Sequence, residues 1–180
     1  MPTQLSVFIA ASVDGYIATL DGKLDWLDQA AREDEDYGYD AFIATCDGVA
    51  MGRGTYDFIA GIEPLPYGDR PLFVFTHRPP APRAGVTFWE VSAHEALAHW
   101  TDRGLRRIYV DGGRLISSFL AEGLIDDMLL TTVPLLLGDG IPLFQPGARR
   151  ASLRLDHVQQ FASGMVNRRY VRVTEANAHG

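Results

Sequence analysis

The sequence predicts an α/β fold in a single domain over 1–180. The form is a three-layer α/β/α sandwich on a mostly parallel central sheet, finished by antiparallel C-terminal strands. Two observations point there. Through the first two thirds of the chain, short apolar runs rich in Val, Ile and Phe alternate with helix-periodic segments. The last third is mostly strand and closes on two extended runs around Ser163-Gly164.

Taken in order, Gln4–Ala11 is a buried strand that ends at Ser-Val-Asp-Gly. Asp34–Thr45 places Tyr37, Ala41 and Ala44 on a helical spacing. Gly48–Met51 is a short strand running into Gly52-Arg53-Gly54, and Thr55–Ala60 is a short helix that Thr55 is expected to cap. Pro71–Phe75 is a strand stopped by His77-Arg78-Pro79-Pro80, and Val86–Val91 is another. Ser92 precedes a helix over Ala93–Arg103, with Glu95 three residues on, the pattern of a capping box. Arg107–Asp111 is a strand, and Gly112-Gly113 turns it into a helix reaching Ala121. Ile125–Val133 is a long strand, and Arg154–Phe161 with Val166–Val173 form an antiparallel pair.

Composition narrows the function classes. Hydrophobic residues make up 47% of the 180 residues and charged residues 22%, which excludes disorder and coiled coil. The formal net charge is −7, from 23 acidic and 16 basic residues, which argues against nucleic acid and anionic membrane as partners. Cys46 is the one cysteine, so neither an internal disulfide nor a cysteine metal cage can form, and a cytoplasmic setting fits. The start MPTQLSVFIAAS lacks a cationic stretch and does not read as a signal peptide. Met128–Leu137 is interrupted by Thr131, Thr132 and Pro134 and falls short of the roughly 20 apolar residues that span a bilayer.

Ligands of open α/β sheets collect at the carboxyl ends of strands. Four segments sit just after predicted strands. Gly52-Arg53-Gly54-Thr55 offers close backbone approach, helix-start amides, a guanidinium and a hydroxyl. The same residues also make a plain tight turn. Thr76-His77-Arg78 suits a phosphate monoester, or is a solvated loop before two prolines. Asp111-Gly112-Gly113-Arg114 is a second phosphate-grade helix start, though not the six-residue dinucleotide fingerprint, because the third glycine is missing. The loop Ser12–Trp26 carries two Asp-Gly pairs and presents Asp25 beside Trp26. A carboxylate next to an indole suits a flat, nitrogen-rich ring; the alternative has Trp26 plugging the core.

Together, in this order, these segments resemble the dihydrofolate reductase-like superfamily, and within it the reductase domain of the bifunctional deaminase–reductase of riboflavin synthesis and its stand-alone bacterial relatives. The resemblance runs from about Leu5 to Val173. It rests on SVDGYIA at Ser12–Ala18, DWL at Asp25–Leu27, MGRGTYD at Met51–Asp57, VDGG at Val110–Gly113 and LLLGDGIPLF at Leu135–Phe144.

The resemblance implies an NADPH-dependent reductase acting on a small heteroaromatic or imine-type substrate of the pteridine or aminopyrimidine class. It implies that Gly52, Arg53, Gly54 and Thr55 meet the pyrophosphate and adenosine side. Thr76, His77 and Arg78 would hold the 2′-phosphate, and Gly112, Gly113, Arg114 and Leu115 would form the second phosphate turn. Ala11, Gly15, Ile17, Leu137 and Gly138 would lie near the cofactor. Asp14, Asp25, Trp26, Met51 and Val110 would line the substrate, with Asp25 as the catalytic candidate and Asp14 its second, the latter also fitting a turn role. Relatives pair through Met128–Leu137, so a homodimer is expected.

One departure is plain. Folate-reducing members carry a carboxylate on the first helix a few residues after a tryptophan, and the matching stretch here is Ala30-Ala31-Arg32, with Asp28 and Glu33 the nearest acids. That keeps a non-catalytic, nucleotide-binding sensor as the alternative, with a cofactor-free hydrolase as a further rival.

Other constellations are set aside, and no metal site is expected. His94 and His99 are five apart and diverge by about 140° around a helix, unlike a zinc protease pair. The run Glu33-Asp34-Glu35-Asp36 fits a solvated helix start, Cys46 a buried thiol, and Ser117-Ser118 lacks a nucleophile-elbow setting.

Overall fold

The structure, a computed structural model, describes residues 2–145 and 150–173. The chain folds as β1 (Gln4–Ser12), β2 (Tyr16–Ala18), α1 (Asp25–Ala30), α2 (Tyr39–Ile43), β3 (Gly48–Gly52), α3 (Arg53–Ile59), β4 (Leu72–Phe75) and β5 (Val86–Trp89). It continues as α4 (Ala93–Asp102), β6 (Arg107–Asp111), α5 (Gly113–Ala121), β7 (Asp127–Val133), β8 (Ile141–Pro142), β9 (Leu153–Gln160) and β10 (Val166–Arg172). Eight strands form one sheet in the order β5-β4-β3-β6-β1-β7-β10-β9. The first six of that order are parallel, and β10 and β9 close it antiparallel. This is the predicted mostly parallel sheet with an antiparallel C-terminal end.

Strand alternation divides the core in two. Leu5, Val7, Ala50, Phe73, Ile108 and Val110 point to one face and bury Trp100 of α4 and Ile116 and Phe119 of α5. Val49, Met51, Leu72, Val74 and Tyr109 point to the other, against Phe42 of α2 and Tyr56 and Ile59 of α3. Trp26 of α1 packs on that same side against Val133 and Met165. Helices therefore cover both faces, which makes three layers.

Local chemistry explains most boundaries. The Ser92 hydroxyl accepts the Glu95 amide while the Glu95 carboxylate accepts the Ser92 amide, the capping box read from the sequence. Such a cap is worth about 1 kcal/mol. Thr55 is not a cap: α3 starts two residues earlier, from an extended Gly52 with no side-chain cap bond. The helix expected over Asp34–Thr45 shrinks to Tyr39–Ile43, because the acidic run forms turns instead. The Asp36 carboxylate accepts the Gly38 amide at 2.8 Å, and Glu35 turns inward to the amide of Ser163 at 3.2 Å. The two-stranded sheet of β2 and β8 was not foreseen.

A polar layer crosses the sheet away from its carboxyl edge. Asp127, buried on β7, accepts from Ser6 of β1, from Arg107 of β6 at 3.1 Å and from Arg169 of β10 at 2.9 Å. Removing one member of such a buried ionic group costs about 3 to 5 kcal/mol. The layer thus fastens four strands across the middle of the sheet.

β7 is an interior strand between β1 and β10. Met128, Thr131 and Val133 are buried, and Pro134 falls just beyond the strand. The homodimer surface expected at Met128–Leu137 thus begins on an interior strand. The edge strands are β5 and β9, and all eight residues of β9 are exposed.

Candidate active site

The chain leaves β1, goes out through β3, β4 and β5, and returns with β6 between β3 and β1. The carboxyl ends around that reversal are where an α/β sheet leaves a crevice. All four predicted segments stand there, and a chain of contacts joins them.

Gly112, at φ +88°, connects β6 to α5. A Cβ at this position would fall on Thr55 Oγ1, and the Gly52 amide lies 4.0 Å from it. Only glycine combines that left-handed backbone with so close a neighbour. The two glycine turns therefore touch through Thr55. Gly113 is buried, and a Cβ there would come 2.7 Å from Cδ1 of Ile17, so β2 lies over the start of α5. Arg53 Nη1 donates to the Arg78 carbonyl at 2.6 Å and its Nε to Asp57 at 2.7 Å, tying α3 to the turn after β4. Arg53, Arg78 and Gly113 thus share one edge. The guanidinium of Arg53, expected to face a ligand, is engaged as a bracket.

Gly52 and Gly54 have ordinary backbone demands and nothing within 4 Å of where a Cβ would stand. Packing does not require glycine at either position, and the bare backbone leaves room for a group from outside the chain. Among the described residues, the guanidinium groups of Arg78 and Arg114 take no hydrogen bond or ion pair. Arg78 is aimed by its backbone: its amide donates to Thr76 Oγ1 at 3.1 Å. Arg114 lies in the first turn of α5, where backbone amides are unpaired and the dipole favours an anion.

The remaining predicted residues separate by environment. Asp14 accepts Ser12 Oγ at 2.6 Å and the amides of Leu137 and Gly138 at 3.2 and 2.8 Å. Those bonds, Ser12 first, hold its carboxyl below the ordinary carboxylate value. With both oxygens engaged, Asp14 joins the end of β1 to the segment after β7, as a turn role requires. The Gly15 carbonyl accepts the Leu143 amide at 2.9 Å. Asp25 is exposed and opens α1, without a hydrogen bond or ion pair among the described residues. Trp26 is buried, yet its indole N–H has no acceptor among the described residues. Met51 and Val110, expected to line the substrate, are fully buried in the core beneath the edge. Ala11 and Leu115 are buried beside them.

Asp111 enters the sequence analysis only as the first residue of the second glycine turn, with no role of its own. It ends β6 on the face of Phe8 and Tyr109, and it keeps some accessible surface although protein atoms surround it. Its Oδ1 accepts the Gly112 amide at 2.8 Å, and Tyr67 Oη lies 3.5 Å from Oδ2. Burial raises its carboxyl above the ordinary 3.8, outweighing the bonds from Gly112, Tyr109 and Tyr67. Burial also raises the phenols around it, Tyr39 to about 12 and Tyr67 and Tyr109 upward. The signal available was position alone, the last strand residue before two glycines.

The set-aside constellations stay structural. His94 lies 3.8 Å from Glu122 while His99 packs on Trp89, Ser117 Oγ accepts the Gln145 amide at 3.2 Å, and Cys46 is a buried thiol pushed up by burial.

Comparison with known proteins gives a consistent answer. Residues 65–167 match the model of the RibD C-terminal domain family. The chain is 37% identical over 175 residues to the uncharacterized protein YwjB of Bacillus subtilis, covering 96% of this chain and 99% of that one. Among solved structures, a putative riboflavin biosynthesis protein from a Shewanella species superposes with a TM-score of 0.88 at 33% identity, covering 96% of this chain and all of that one. A diaminohydroxyphosphoribosylaminopyrimidine deaminase/5-amino-6-(5-phosphoribosylamino)uracil reductase from Thermotoga maritima shares the fold, with a TM-score of 0.69 at 14% identity. There the match covers 96% of this chain and 57% of the other. The architecture is thus that of the dihydrofolate reductase-like fold.

The raised Asp111 carboxyl has a stability consequence. A carboxyl whose folded value lies above its unfolded one costs nothing while protonated in both states, and stability falls as pH rises through the folded value. Asp111→Asn is therefore expected to gain stability over the wild-type protein as pH rises from about 3.9, the ordinary aspartate value, toward neutrality, read by denaturant unfolding. Curves that run parallel across that range would show that Asp111 ionises freely in the folded state.

Proposed function

The chain belongs to the RibD C-terminal domain family, and from that premise we propose that it is an NADPH-dependent reductase of a small heteroaromatic or imine-type substrate, of the pteridine or aminopyrimidine class. The observation that carries this reading is the convergence of two glycine turns with two unpaired guanidiniums at one sheet edge. That donor set fits a phosphorylated dinucleotide. The start of α5 with Gly112, Gly113, Arg114 and Leu115, and the bare backbone at Gly52 and Gly54 with Thr55, suit the pyrophosphate. Thr76, His77 and Arg78 suit the ribose phosphate, with Arg53 holding Arg78 in place. Ala11, Gly15, Ile17, Leu137 and Gly138 surround the remaining, nicotinamide end.

The dinucleotide supplies hydride when bound; the protein supplies orientation and charge. Asp25, exposed and unpaired, is the group free to hold a polar ring edge or pass a proton. The orphaned indole N–H of Trp26 beside it needs an acceptor. Asp111, with its raised carboxyl, stands at the inner side of the same edge as a second proton-holding group.

A second reading has one observation in its favour. Ala30-Ala31-Arg32 bears no carboxylate, and Arg32 is taken by Asp34 at 3.0 Å. A nucleotide-binding sensor would bind NADPH yet oxidise it with none of a panel of pterins, aminopyrimidines and imines.

For the whole protein we propose a cytoplasmic homodimer. The face left open for a second copy is that of β9 and β10, where Leu153, Leu155 and Val158 are 43 to 49% exposed and Tyr170 pairs with Leu155.

Three outcomes follow. Arg78→Ala should weaken NADPH binding about ten- to a hundredfold in calorimetry, as loss of a charge-assisted phosphate bond does, and NADH far less; equal losses would move the ribose phosphate elsewhere. Asp25→Asn should slow turnover on a found substrate by about a hundredfold or more, and unchanged turnover removes Asp25 from the mechanism. Light scattering at micromolar concentration should give twice the chain mass, whereas a single-chain mass would show that the β9 face stays uncovered.

A further inference from the structure

The tip of β4 carries a charge arrangement that the proposed function does not account for. β4 and β5 run parallel with Phe75 beside Trp89, and the Thr76 amide extends the ladder to the Trp89 carbonyl at 2.8 Å. One residue further on, the side chains of His77 and Glu90 meet, Nδ1 to Oε1 at 2.7 Å. The imidazole expected to serve a ribose phosphate is therefore already held by a carboxylate. Beside it stands Arg78, exposed, its backbone fixed by Thr76 and Arg53 and its guanidinium unpaired among the described residues.

The pair has little structural work to do. Its side chains are 86% and 67% exposed, and an ion pair so open to water contributes little stability. β5 is already held by its ladder to β4 and by Trp89, which packs on Phe73 and Trp100. The nearby charges are otherwise committed: Asp57 to Arg53, and Glu95 to the Ser92 cap. Among the described residues, what remains at the strand tip is the guanidinium of Arg78 beside the imidazole of His77 and the carboxylate of Glu90. A ribose carrying a free 2′-hydroxyl can donate a hydrogen bond to that carboxylate. A ribose carrying a 2′-phosphate brings two negative charges toward it.

We propose that Glu90, held against His77 at the tip of β5, is a specificity-determining residue that opposes the ribose phosphate and favours the free hydroxyl, so that it tempers the preference for NADPH set by Arg78. The proposal rests on the nucleotide-site reading above and deepens it. Arg78 attracts the phosphate and Glu90 resists it. A like charge near a phosphate on a wet surface, at physiological salt, changes affinity about three- to tenfold.

The experiment is calorimetric titration of the full chain with NADPH and with NADH. The wild-type protein, Glu90→Gln, His77→Gln and the Glu90→Gln/His77→Gln double variant are compared, with unfolding midpoints measured in parallel. Glu90→Gln should tighten NADPH about three- to tenfold, leave NADH unchanged or weaker, and keep the wild-type midpoint. The gain should persist without His77, because Glu90 acts by charge, and should shrink at about 1 M salt, where the screening length is about 3 Å. An unchanged ratio of the two affinities, with both nucleotides still binding, overturns the proposal and leaves the site assignment standing. Equal changes for both nucleotides assign Glu90 a structural role and overturn it as well. Failure of the wild-type protein to bind either nucleotide overturns the nucleotide site itself, and this proposal with it.

Discussion

The carboxyl edge of this sheet is organised around the contact of Gly112 with Thr55. Two strand-to-helix turns, one after β3 and one after β6, can lie this close only because the second has no side chain where the first sends a hydroxyl. The constraint is doubled by the backbone, since the positive φ of Gly112 is one that other residues adopt at a cost. From that point the starts of α3 and α5 are fixed relative to each other. The remaining loops are then fastened to this pair. Ile17 is pressed onto Gly113, Arg53 holds the turn after β4, and Asp14 ties the end of β1 to Leu137 and Gly138. Each link joins a loop to an element of the rigid sheet, which is how a site made of loops keeps its geometry.

The brackets also divide the charged groups by use. Arg53 and Asp14 look like ligand-binding residues in the sequence, and both are employed in holding loops. Arg78 and Arg114 look similar, but among the described residues their guanidinium groups take no hydrogen bond or ion pair. An unneutralised guanidinium beside a helix start and bare glycine backbone is a place where an anion is favoured twice, by charge and by amides. That asymmetry, more than the count of basic residues in a chain with net charge −7, is what marks this edge.

Much of this was legible in the sequence. The capping box at Ser92 and Glu95 is a local motif whose two bonds depend only on residues three apart, so it reads correctly without tertiary knowledge. The long strands announce themselves by apolar runs and their glycine turns. Thr55 was misread because a hydroxyl near a helix start has two uses, capping and packing, and the choice depends on Gly112, more than fifty positions away. The loop from Ala31 to Gly38 was misread for the same kind of reason. Its acids face a helix dipole in the sequence, but Glu35 finds the amide of Ser163 across the chain, and Tyr37 packs on Phe161 at 4.9 Å. The strands β2 and β8, three and two residues long, are too short for any period to show. Glu90 carried no signal at all, since its meaning comes from standing beside His77 on a neighbouring strand.

The carboxylates at the edge show how environment, and not residue type, assigns roles. Asp14 receives two backbone amides and a hydroxyl, all of which favour its charged form, so it is a fixed anion that holds loops together. Asp111 receives one amide but lies among Tyr39, Tyr67 and Tyr109, where burial works against the charge, so it takes a proton more readily than an ordinary carboxyl. Asp25 is exposed and, among the described residues, takes no hydrogen bond or ion pair. A reaction that adds hydride to a ring or imine must also place a proton on the neighbouring atom. A group already locked into amide bonds cannot leave them to move that proton without loosening the loops. On the proposed reading that work falls to Asp25 or Asp111, while the bonds that hold Asp14 between the loops count against it.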